Sequence, residues 1–464
     1  MTSQPKRILF TATREGVGLS SIVKGFLVSL RESGVSIKVD ILGDSLLEAT
    51  HIRRTTGRIC QSLAPNFLSK EQILKGYGLN LNSCELHILL CQESNFILDN
   101  PGFLAEIDPV VVLVFDAERD SENDFQIIRE HISKLNRYQK IGLIGNFSDL
   151  DYSKYKSLIE NENCKFLGLI PRFEEGKFAG GSSLSINRNP SLLTRNQILR
   201  LKSLVETYIK FNDFRELYLQ SRDVGFAKQQ VSDAQPSCRI AVADDSAFHL
   251  SFQDNLNLLR EYGAELKLFS PLAEPSLPNG IDAIYFPNSY FNLYAEDIEQ
   301  NKKLISQIKE RIYAGTLAYF EGNSAAYACS KVVFENGTIT KMLSVINCAA
   351  NFFESSNAEE AHFKIAKFVA RAPSVITKGV EECMGLYGDQ LRFELNSDPI
   401  FALPNVKYEN TASAGIVTLS NIFCTSSILH WGSNPIFAQN FVANARTIGA
   451  SDLSAASLKA NPVR

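Results

Sequence analysis

Short, almost uninterrupted apolar runs alternate with stretches of helical periodicity through the first half of the chain. Such runs are typical of strands that are buried on both faces of a parallel sheet. Helical stretches at 18–31, 121–135 and 152–162 have the length of crossovers between parallel strands. The pattern therefore predicts a doubly wound α/β domain. The predicted strands are RILFTAT (7–13), SIKVDIL (36–42), ELHILLC (85–91), VVVLVFD (110–116), KIGLIGN (140–146) and FLGLI (166–170).

A second α/β pattern begins after a long helical stretch at 191–225 and a polar, turn-rich segment at 228–237. It starts with the apolar run CRIAVA at Cys238 and continues through further short strands and helices. We therefore expect an N-terminal domain (1–225), a linker (226–237), a C-terminal α/β domain (238–445) and a flexible tail (446–464).

Composition excludes several classes of function. The 464 residues are 45% hydrophobic and 21% charged, which is typical of a globular protein. A net charge of −4 gives no general attraction to nucleic acid or to an anionic membrane. No apolar run reaches the roughly 20 residues that span a bilayer, and the N-terminus lacks a signal-peptide core. We expect a cytoplasmic protein that binds neither nucleic acid nor membrane.

The cysteines predict neither a disulfide framework nor a zinc site. The nine cysteines are odd in number, scattered, and never spaced as CxxC. We therefore expect buried, reduced thiols. A thiol enzyme that uses Cys329 or Cys91 finds no supporting base or paired cysteine in the sequence.

The stretch TREGVGLSS, Thr13 to Ser21, has the outline of a phosphate-binding loop. It follows a predicted strand and precedes a predicted helix, with Gly16 and Gly18 placed to turn backbone N–H groups toward an anion. Ser20 stands where such a loop holds Mg²⁺, but Leu19 replaces the lysine. Without that ammonium, the loop should lose most of its affinity for a triphosphate. The alternatives are a weak ATP site and an ordinary strand-to-helix turn.

Blocks in both halves of the chain resemble the cobyrinic acid a,c-diamide synthase family. In the second half they are Cys238 to Asn301 and NIFCTSSILHWGSNPIFAQNF at 421–441. In the first half they are the phosphate-loop outline and the blocks at 41–68, 109–120, 143–149 and 166–172. The resemblance implies a dethiobiotin synthetase-like ATP-binding domain followed by a class I glutamine amidotransferase domain. It also implies ATP- and glutamine-dependent amidation of corrinoid carboxylates, a step of cobalamin biosynthesis.

The glutaminase positions that the family implies are changed. The nucleophilic cysteine of its AECGG elbow falls on Gly322, and a thioester cannot form without a thiol. The glycine-rich segment that supplies the oxyanion hole appears here as Pro287 to Asn292, in which the proline has no N–H to donate to an oxyanion. The family's histidine base falls on Ile428, and a one-residue slip would bring His430 into play.

The ATP and metal positions are partly changed as well. The first aspartate of the family's KVGPDYIDP block aligns with Asp44, and Asn146 survives near the expected nucleotide edge. The glutamate of its VVEGVMG block falls on Gln92, or on Glu93 if the alignment slips by one. The amide of Gln92 would be a poorer Mg²⁺ ligand than a carboxylate. We therefore expect Mg-ATP binding to be weak or absent. The residues that would bind it are Gly16, Gly18, Ser20, Asp44 and Asn146.

Two functions remain open from the sequence. The first is a non-catalytic family member that binds a tetrapyrrole-like ligand or a partner protein. The second is an ATP-dependent amidoligase of a tetrapyrrole that uses free ammonia. The resemblance implies a homodimer or a heterodimer with an intact relative as the assembly.

Overall fold

The chain divides into two compact units, Met1–Ser183 with Ser191–Gln230 and Leu184–Pro190 with Val231–Arg464. No helix within the described ranges is long and apolar enough to cross a membrane. The computed structural model describes residues 5–78, 84–91, 97–98, 101–118, 122–135, 140–155, 164–172, 185–186, 193–221, 236–353, 361–370, 372–388, 390–394, 401–402, 416–419 and 421–459.

The first unit is built on a six-stranded sheet with the order β2-β3-β1-β4-β5-β6. Every neighbouring pair is parallel, so all carboxyl ends meet at one edge. This confirms the predicted doubly wound parallel sheet. Its strands are β1 (Lys6–Ala12), β2 (Ile37–Leu42), β3 (Leu86–Cys91), β4 (Val110–Asp116), β5 (Ile141–Ser148) and β6 (Cys164–Pro171).

Helices pack against this sheet through apolar faces. The predicted helix at 191–225 is interrupted at Ile209, whose extended backbone forms a bridge with Gly168. Of the predicted helix at 152–162, Tyr152–Tyr155 forms a 3-10 turn and the remainder lies outside the described residues. The helices are α1 (Leu19–Glu32), α2 (Leu46–Thr56), α3 (Lys70–Gly78), α4 (Pro101–Ile107), α5 (Glu122–Leu135), α6 (Arg195–Tyr208) and α7 (Phe211–Tyr218).

The second unit contains more strands than the first. They are β7 (Ser185–Ile186), β8 (Cys238–Ala243), β9 (Phe248–Leu250), β10 (Ala264–Phe269), β11 (Ala283–Phe286), β12 (Asn288–Ser289), β13 (Leu317–Glu321), β14 (Lys331–Phe334), β15 (Ile339–Lys341), β16 (Ala349–Phe352), β17 (Ala361–His362), β18 (Lys364–Ala370), β19 (Glu382–Tyr387), β20 (Leu391–Phe393), β21 (Phe401–Ala402), β22 (Ile416–Leu419), β23 (Ile422–Thr425) and β24 (Ile428–His430).

Its main sheet has the order β10-β8-β11-β13-β23-β22, and all pairs are parallel except β22 with β23. Two four-stranded sheets, β15-β14-β16-β20 and β21-β18-β19-β24, accompany it. The pairs β9–β12 and β7–β17 are antiparallel. The helices are α8 (Gln253–Glu261), α9 (Phe291–Gln300), α10 (Lys302–Tyr313), α11 (Ala325–Ala328) and α12 (Ile436–Lys459).

Of the predicted flexible tail at 446–464, residues 446–459 are helical and residues 460–464 lie outside the described residues. Helix α12 continues to Lys459. The stretch carries alanines at 450, 455 and 456, and alanine has the highest intrinsic helix propensity.

Candidate functional site

The phosphate-loop segment joins β1 to α1 at the carboxyl edge of the first sheet. Gly16 and Gly18 have φ angles of 78° and 80°, in the left-handed region that favours glycine. Helix α1 starts at once, because the N–H of Ile22 donates to the carbonyl of Gly18 at 3.0 Å. A Cβ built at Gly16 meets no atom within 4 Å, so this side of the loop is open. The turn has the backbone shape that an anion-binding loop requires.

Leu19 belongs to the hydrophobic core of the first unit. Its side chain is 7% exposed and packs in the cluster that also holds Ile22 and Val23 of α1. The residue that stands in the lysine position thus stabilises the fold and supplies no charge to the loop. An anion here would find backbone N–H groups but no ammonium from this position.

Ser20, the candidate metal ligand, contacts an ammonium group. Nζ of Lys24, one helical turn later, donates to Ser20 Oγ at 2.8 Å and to Glu48 Oε2 at 2.7 Å. Burial opposes ionisation of Glu48, but the Lys24 ammonium outweighs it, so the pKa of Glu48 lies below its usual value. The Lys24 ammonium, which donates to the Ser20 hydroxyl, would repel a Mg²⁺ ion coordinated by that hydroxyl. The residues around Ser20 therefore do not fit Mg-ATP.

Arg14 lies at the start of the same loop and pairs with Asp116 at the end of β4. Asp116 is 9% exposed, whereas the Arg14 side chain is 37% exposed. Because β1 and β4 are adjacent and parallel, their carboxyl ends bring these two residues together. The carboxylate neutralises the guanidinium, the cation of this loop that is most accessible to an anion.

Asn146 supports the loop from beneath. Its Nδ2 donates to the carbonyl of Val17 at 2.8 Å, and its amide lies where a side chain at Gly18 would otherwise extend. The structure thus brings Asn146 to Gly18, as the predicted site requires. In this position its amide holds the loop in place.

Asp44 and Gln92 complete the residues predicted for the metal. Asp44 follows β2 and is fully buried; its Oδ2 accepts from Asn66 Nδ2 at 3.5 Å. Among the residues that the structure describes, Asp44 Oδ1 has no hydrogen-bond partner. Gln92, directly after β3, lies outside the described residues. Within those same ranges no cluster of His, Cys, Asp and Glu side chains could hold a metal ion.

The second candidate site is the turn that follows β13. Gly322 has a φ of 60°, and its N–H donates to the carbonyl of Ser427 at 3.2 Å. A 3-10 turn, Gly322–Ser324, and then α11 follow directly. A sharp strand-to-helix turn of this shape exposes the nucleophile in enzymes that have a nucleophile elbow. The elbow is retained although its side chain is absent.

Asn288 fills the space that a nucleophile would occupy. A Cβ built at Gly322 overlaps the Asn288 side chain, with its Cγ at 2.6 Å. Asn288 Oδ1 also accepts from the N–H of Asn323 at 2.8 Å. In an elbow, the N–H after the nucleophile donates to the oxyanion of the intermediate. Here the oxygen of a resident carboxamide accepts that hydrogen bond.

The segment around Asn288 is tied to the elbow by further bonds. Ser324 Oγ donates to the carbonyl of Pro287 and contacts Ser289 Oγ at 2.8 Å. Asn323 Nδ2 donates to the carbonyl of Ser289 at 3.3 Å. Ser324 is fully buried and is held in these bonds, so it does not replace the missing nucleophile.

The two candidates for the base lie on β24. Ile428 is fully buried and pairs with Leu386 of β19, so the aligned position is part of the sheet and carries no titratable group. The ring of His430 packs edge-on against Phe252 at 4.6 Å between centroids. Its Nε2 lies 3.9 Å from Asp254 Oδ2. The contacts at Gly322 itself come from the side chain of Asn288 and the carbonyl of Ser427.

Glu321, the residue before the elbow, is a buried acid. Its carboxylate accepts from Tyr285 Oη at 2.7 Å, from Tyr319 Oη at 2.9 Å and from the N–H of Leu429 at 2.9 Å. Burial raises the pKa of Glu321 to about 7 despite these three donors. The group joins three strands, β11, β13 and β24, beneath the elbow.

Several residues at these two sites were missed from the sequence. The contact of Lys24 with Ser20 could have been predicted, because residues four apart share one face of a helix. Glu48 and the ionisation of Glu321 depend on neighbouring strands and helices, and no sequence motif signals them. Asn288 lies in the segment 287–292 that was aligned with the oxyanion segment, but its contact with the elbow was not predicted. Chemically, the first site offers an anion a glycine-rich backbone turn, whereas the second offers neither a thiol nor a free oxyanion donor at Asn323.

Comparisons with known proteins agree with this architecture. Residues 239–425 match the CobB/CobQ-like glutamine amidotransferase domain. A cobyrinate a,c-diamide synthase of Leptospira interrogans is 24% identical over 456 residues, which cover 94% of this chain and 97% of the relative. One from Methanocaldococcus jannaschii is 25% identical over 469 residues, 94% of this chain and 98% of the relative. One from a Synechocystis species is 36% identical over 119 residues, about a quarter of each chain.

The fold and the comparisons lead to the same assignment. The first unit, with its parallel sheet and glycine turn, has the P-loop type of architecture, and the second has the amidotransferase type. Both were predicted from the sequence. The chain thus resembles the cobyrinate a,c-diamide synthases through both units, and residues 239–425 match the CobB/CobQ-like glutamine amidotransferase domain.

Proposed function

We propose that this chain is a non-catalytic member of the cobyrinate a,c-diamide synthase family and that it acts by binding a ligand or a partner protein. The observation that carries the proposal is the contact of Asn288 with the elbow. Its carboxamide takes both the space beside Gly322 and the N–H of Asn323, so glutamine finds neither a nucleophile nor an oxyanion donor.

The first unit supports the same proposal through its charges. Leu19 is in the core, and the Lys24 ammonium is bonded to the hydroxyl of Ser20. Phosphoryl transfer depends on cations that neutralise the charge of the transferred group. The chain has cations near the loop, but carboxylates already pair with both Lys24 and Arg14.

The experiment is a glutaminase and ATPase assay on the full chain, with the Leptospira interrogans synthase as the active control. We expect no release of glutamate from glutamine and no release of phosphate from Mg-ATP above the buffer rate. The variant Gly322→Cys, alone and combined with Asn288→Gly, tests whether the side-chain contact blocks the site. Glutamate release by the unmodified chain, lost in Asn288→Ala, would refute the proposal.

The ligand that we propose is a cobyrinate-like tetrapyrrole, because the synthases aligned with this chain are named for cobyrinate. The partner is a second copy of the chain or an intact relative. A titration of the full chain with cobyrinic acid, followed by absorbance, measures the first. Size-exclusion chromatography with light scattering, with and without the relative, measures the second. A monomer that leaves the corrin spectrum unchanged would contradict both.

A second candidate function is an amidoligase that uses free ammonia. The open side of the loop at Gly16 and the left-handed backbone at Gly16 and Gly18 favour it, because this backbone alone can bind an anion. Calorimetric titration with Mg-ATP separates the two functions. Micromolar affinity, followed by amidation of a corrin acid with ammonium as nitrogen donor, would favour the ligase.

A further inference from the structure

Two cysteines that are distant from each other in the sequence meet in the second unit. Cys329 directly follows α11, and Cys348 directly precedes β16. Their sulfur atoms lie 3.1 Å apart, although the residues are 19 positions apart in the chain. Cys329 is fully buried and Cys348 is 6% exposed. This pair was not predicted from the sequence, because its spacing matches no cysteine motif.

The backbone fixes both residues in position. The N–H of Ser330 donates to the carbonyl of Cys348 at 3.0 Å, and Ser330 Oγ donates to the same oxygen at 2.7 Å. The N–H of Ser344 donates to the carbonyl of Cys329 at 2.9 Å. Strands β14 and β16 continue the pairing, with Lys331 opposite Ala349. The two thiols are therefore held together by the sheet.

The two sulfur atoms differ in acidity. A hydrogen bond from the Cys329 thiol lowers the pKa of Cys348, and the same bond together with burial raises the pKa of Cys329. By contrast, burial raises the pKa of Cys84 and Cys164 to about 11. Cys348 is thus the more ionised member of the pair and also the more exposed one, which are the two properties that make a thiol reactive.

The separation of the sulfur atoms favours a bond between them over a shared metal. A disulfide has an S–S length of about 2.05 Å, so the atoms need to approach by only about 1 Å. Two thiolates on a tetrahedral zinc, each at about 2.3 Å, would have to move apart to about 3.8 Å. Among the described residues, no group of His, Cys, Asp and Glu is arranged to hold a metal ion.

We propose that Cys329 and Cys348 are an oxidisable dithiol that a hydroperoxide converts into an intramolecular disulfide. The Cys348 thiolate attacks the peroxide oxygen, the O–O bond breaks, and hydroxide leaves with a sulfenic acid on Cys348. The Cys329 sulfur then attacks the Cys348 sulfur. The S–S bond forms, the S–O bond breaks, and the thiol proton goes to the departing hydroxide. In total two thiols and one hydrogen peroxide give a disulfide and two waters.

The disulfide would connect the segment after the elbow to β16. Helix α11 begins directly after the turn Gly322–Ser324, and Cys329 Sγ lies 3.7 Å from the carbonyl oxygen of Ala325. Closing a loop of this length restricts the unfolded chain, so we expect the unfolding midpoint of the second unit to rise by roughly 5 °C on oxidation. A reductant should reverse the change.

The test is peptide mapping of the full chain after treatment with stoichiometric hydrogen peroxide and acid quenching. Trypsin places Cys329 in the peptide 312–331 and Cys348 in the peptide 342–364, each without another cysteine. We expect these two peptides to be joined, with the loss of two hydrogen atoms, and to separate on reduction. This reading needs no variant, so it does not depend on the folding of any substitution.

Matched variants sharpen the test. Cys424 is also buried and its thiol donates to the same carbonyl of Ala325, at 3.5 Å. We expect Cys424→Ser to keep the joined peptides and the rise in the midpoint, and Cys348→Ser to lose both. The proposal is overturned if both peptides stay separate and alkylatable after oxidation, if Cys348 stops at sulfinic acid, or if Cys424 replaces Cys329 in the joined product.

Discussion

The glycine turn of the first unit and the elbow of the second are comparable structures with different surroundings. Each follows a central parallel strand, and each keeps glycine in the left-handed region, at Gly16 and Gly18 in one and at Gly322 in the other. Beside Gly16 the space is open. Beside Gly322 it is filled by the carboxamide of Asn288, which also bonds the next backbone N–H.

This difference separates a change of charge from a change of shape. At the glycine turn the backbone can still face an anion, but the cations nearby are paired with Glu48 and Asp116. At the elbow the backbone itself is used by Asn288, so no substitution at Gly322 alone can restore a site. The proposed loss of activity therefore rests on electrostatics at the first site and on packing at the second.

The largest effect should come from the charges of the first unit. Replacing Lys24 by Met leaves the buried carboxylate of Glu48 without its cation, and such a change costs roughly 3–5 kcal/mol. The double variant Lys24→Met/Glu48→Leu should recover most of the loss. Urea unfolding at pH 7 measures both.

The exposed pair of Lys70 and Glu106 in the same unit is the control, since Lys70→Met should cost less than about 1 kcal/mol. The direction in which pH changes this stabilisation follows from the pKa of Glu48. The pKa of Glu48 lies below its unfolded value, so the stabilisation is present above about pH 4.5 and is lost as pH falls further. A Lys24→Met variant as stable as the parent would show that the ammonium is not structural.

The next effect tests the packing of the elbow. Gly322→Ala adds a Cβ that meets Asn288 and forces a side chain into a positive φ, so we expect a loss of roughly 2–4 kcal/mol. Gly337 has a φ of 85° and open space around its Cβ position. Gly337→Ala should therefore cost only about 1–2 kcal/mol, from backbone strain. Equal losses in urea unfolding would mean that Asn288 yields and does not block the elbow.

A smaller effect concerns the acid beneath the elbow. Because the pKa of Glu321 is raised to about 7, its folded state holds a proton that the unfolded chain releases near pH 4.5. Stability should therefore fall as pH rises from about 4.5 to 7, by roughly 3 kcal/mol, and then level off. Glu321→Gln should remove this slope, whereas the exposed Glu382→Gln should keep it. A parent chain without such a slope would place the Glu321 pKa at its ordinary value.

The architecture was largely predictable because it depends on local patterns. The run at 110–116 is β4 to the residue, and the other apolar runs of the first half each became a parallel strand. The break of the helical pattern at Ile209 could not be predicted, because it results from a bridge to Gly168 on a strand distant in sequence. Apolar periodicity records burial, but it does not record which distant backbone takes a hydrogen bond.

The candidate sites were predictable only as positions. The sequence placed Gly322 at the nucleophile, yet whether the vacant volume stays open depends on the side chain of Asn288 from a neighbouring segment. The pairing of Cys329 with Cys348 likewise depends on β14 and β16 lying side by side. Such contacts arise from the register of strands, which no local spacing encodes.

The smallest expected effect returns to the open side of the glycine turn. Arg14 pairs with Asp116, but its side chain is 37% exposed, so solvent screens the pair and Arg14→Gln should change stability by less than about 1 kcal/mol. Its effect on ligand binding should differ, because the guanidinium is the accessible cation beside the loop. If the turn binds inorganic phosphate, Arg14→Gln should weaken that binding several-fold, and Asp116→Asn should strengthen it by freeing the guanidinium. Calorimetric titration with phosphate at low ionic strength measures both. Equal affinities in the three proteins would mean that the backbone alone holds the anion, and that the difference between the two glycine turns is one of shape only.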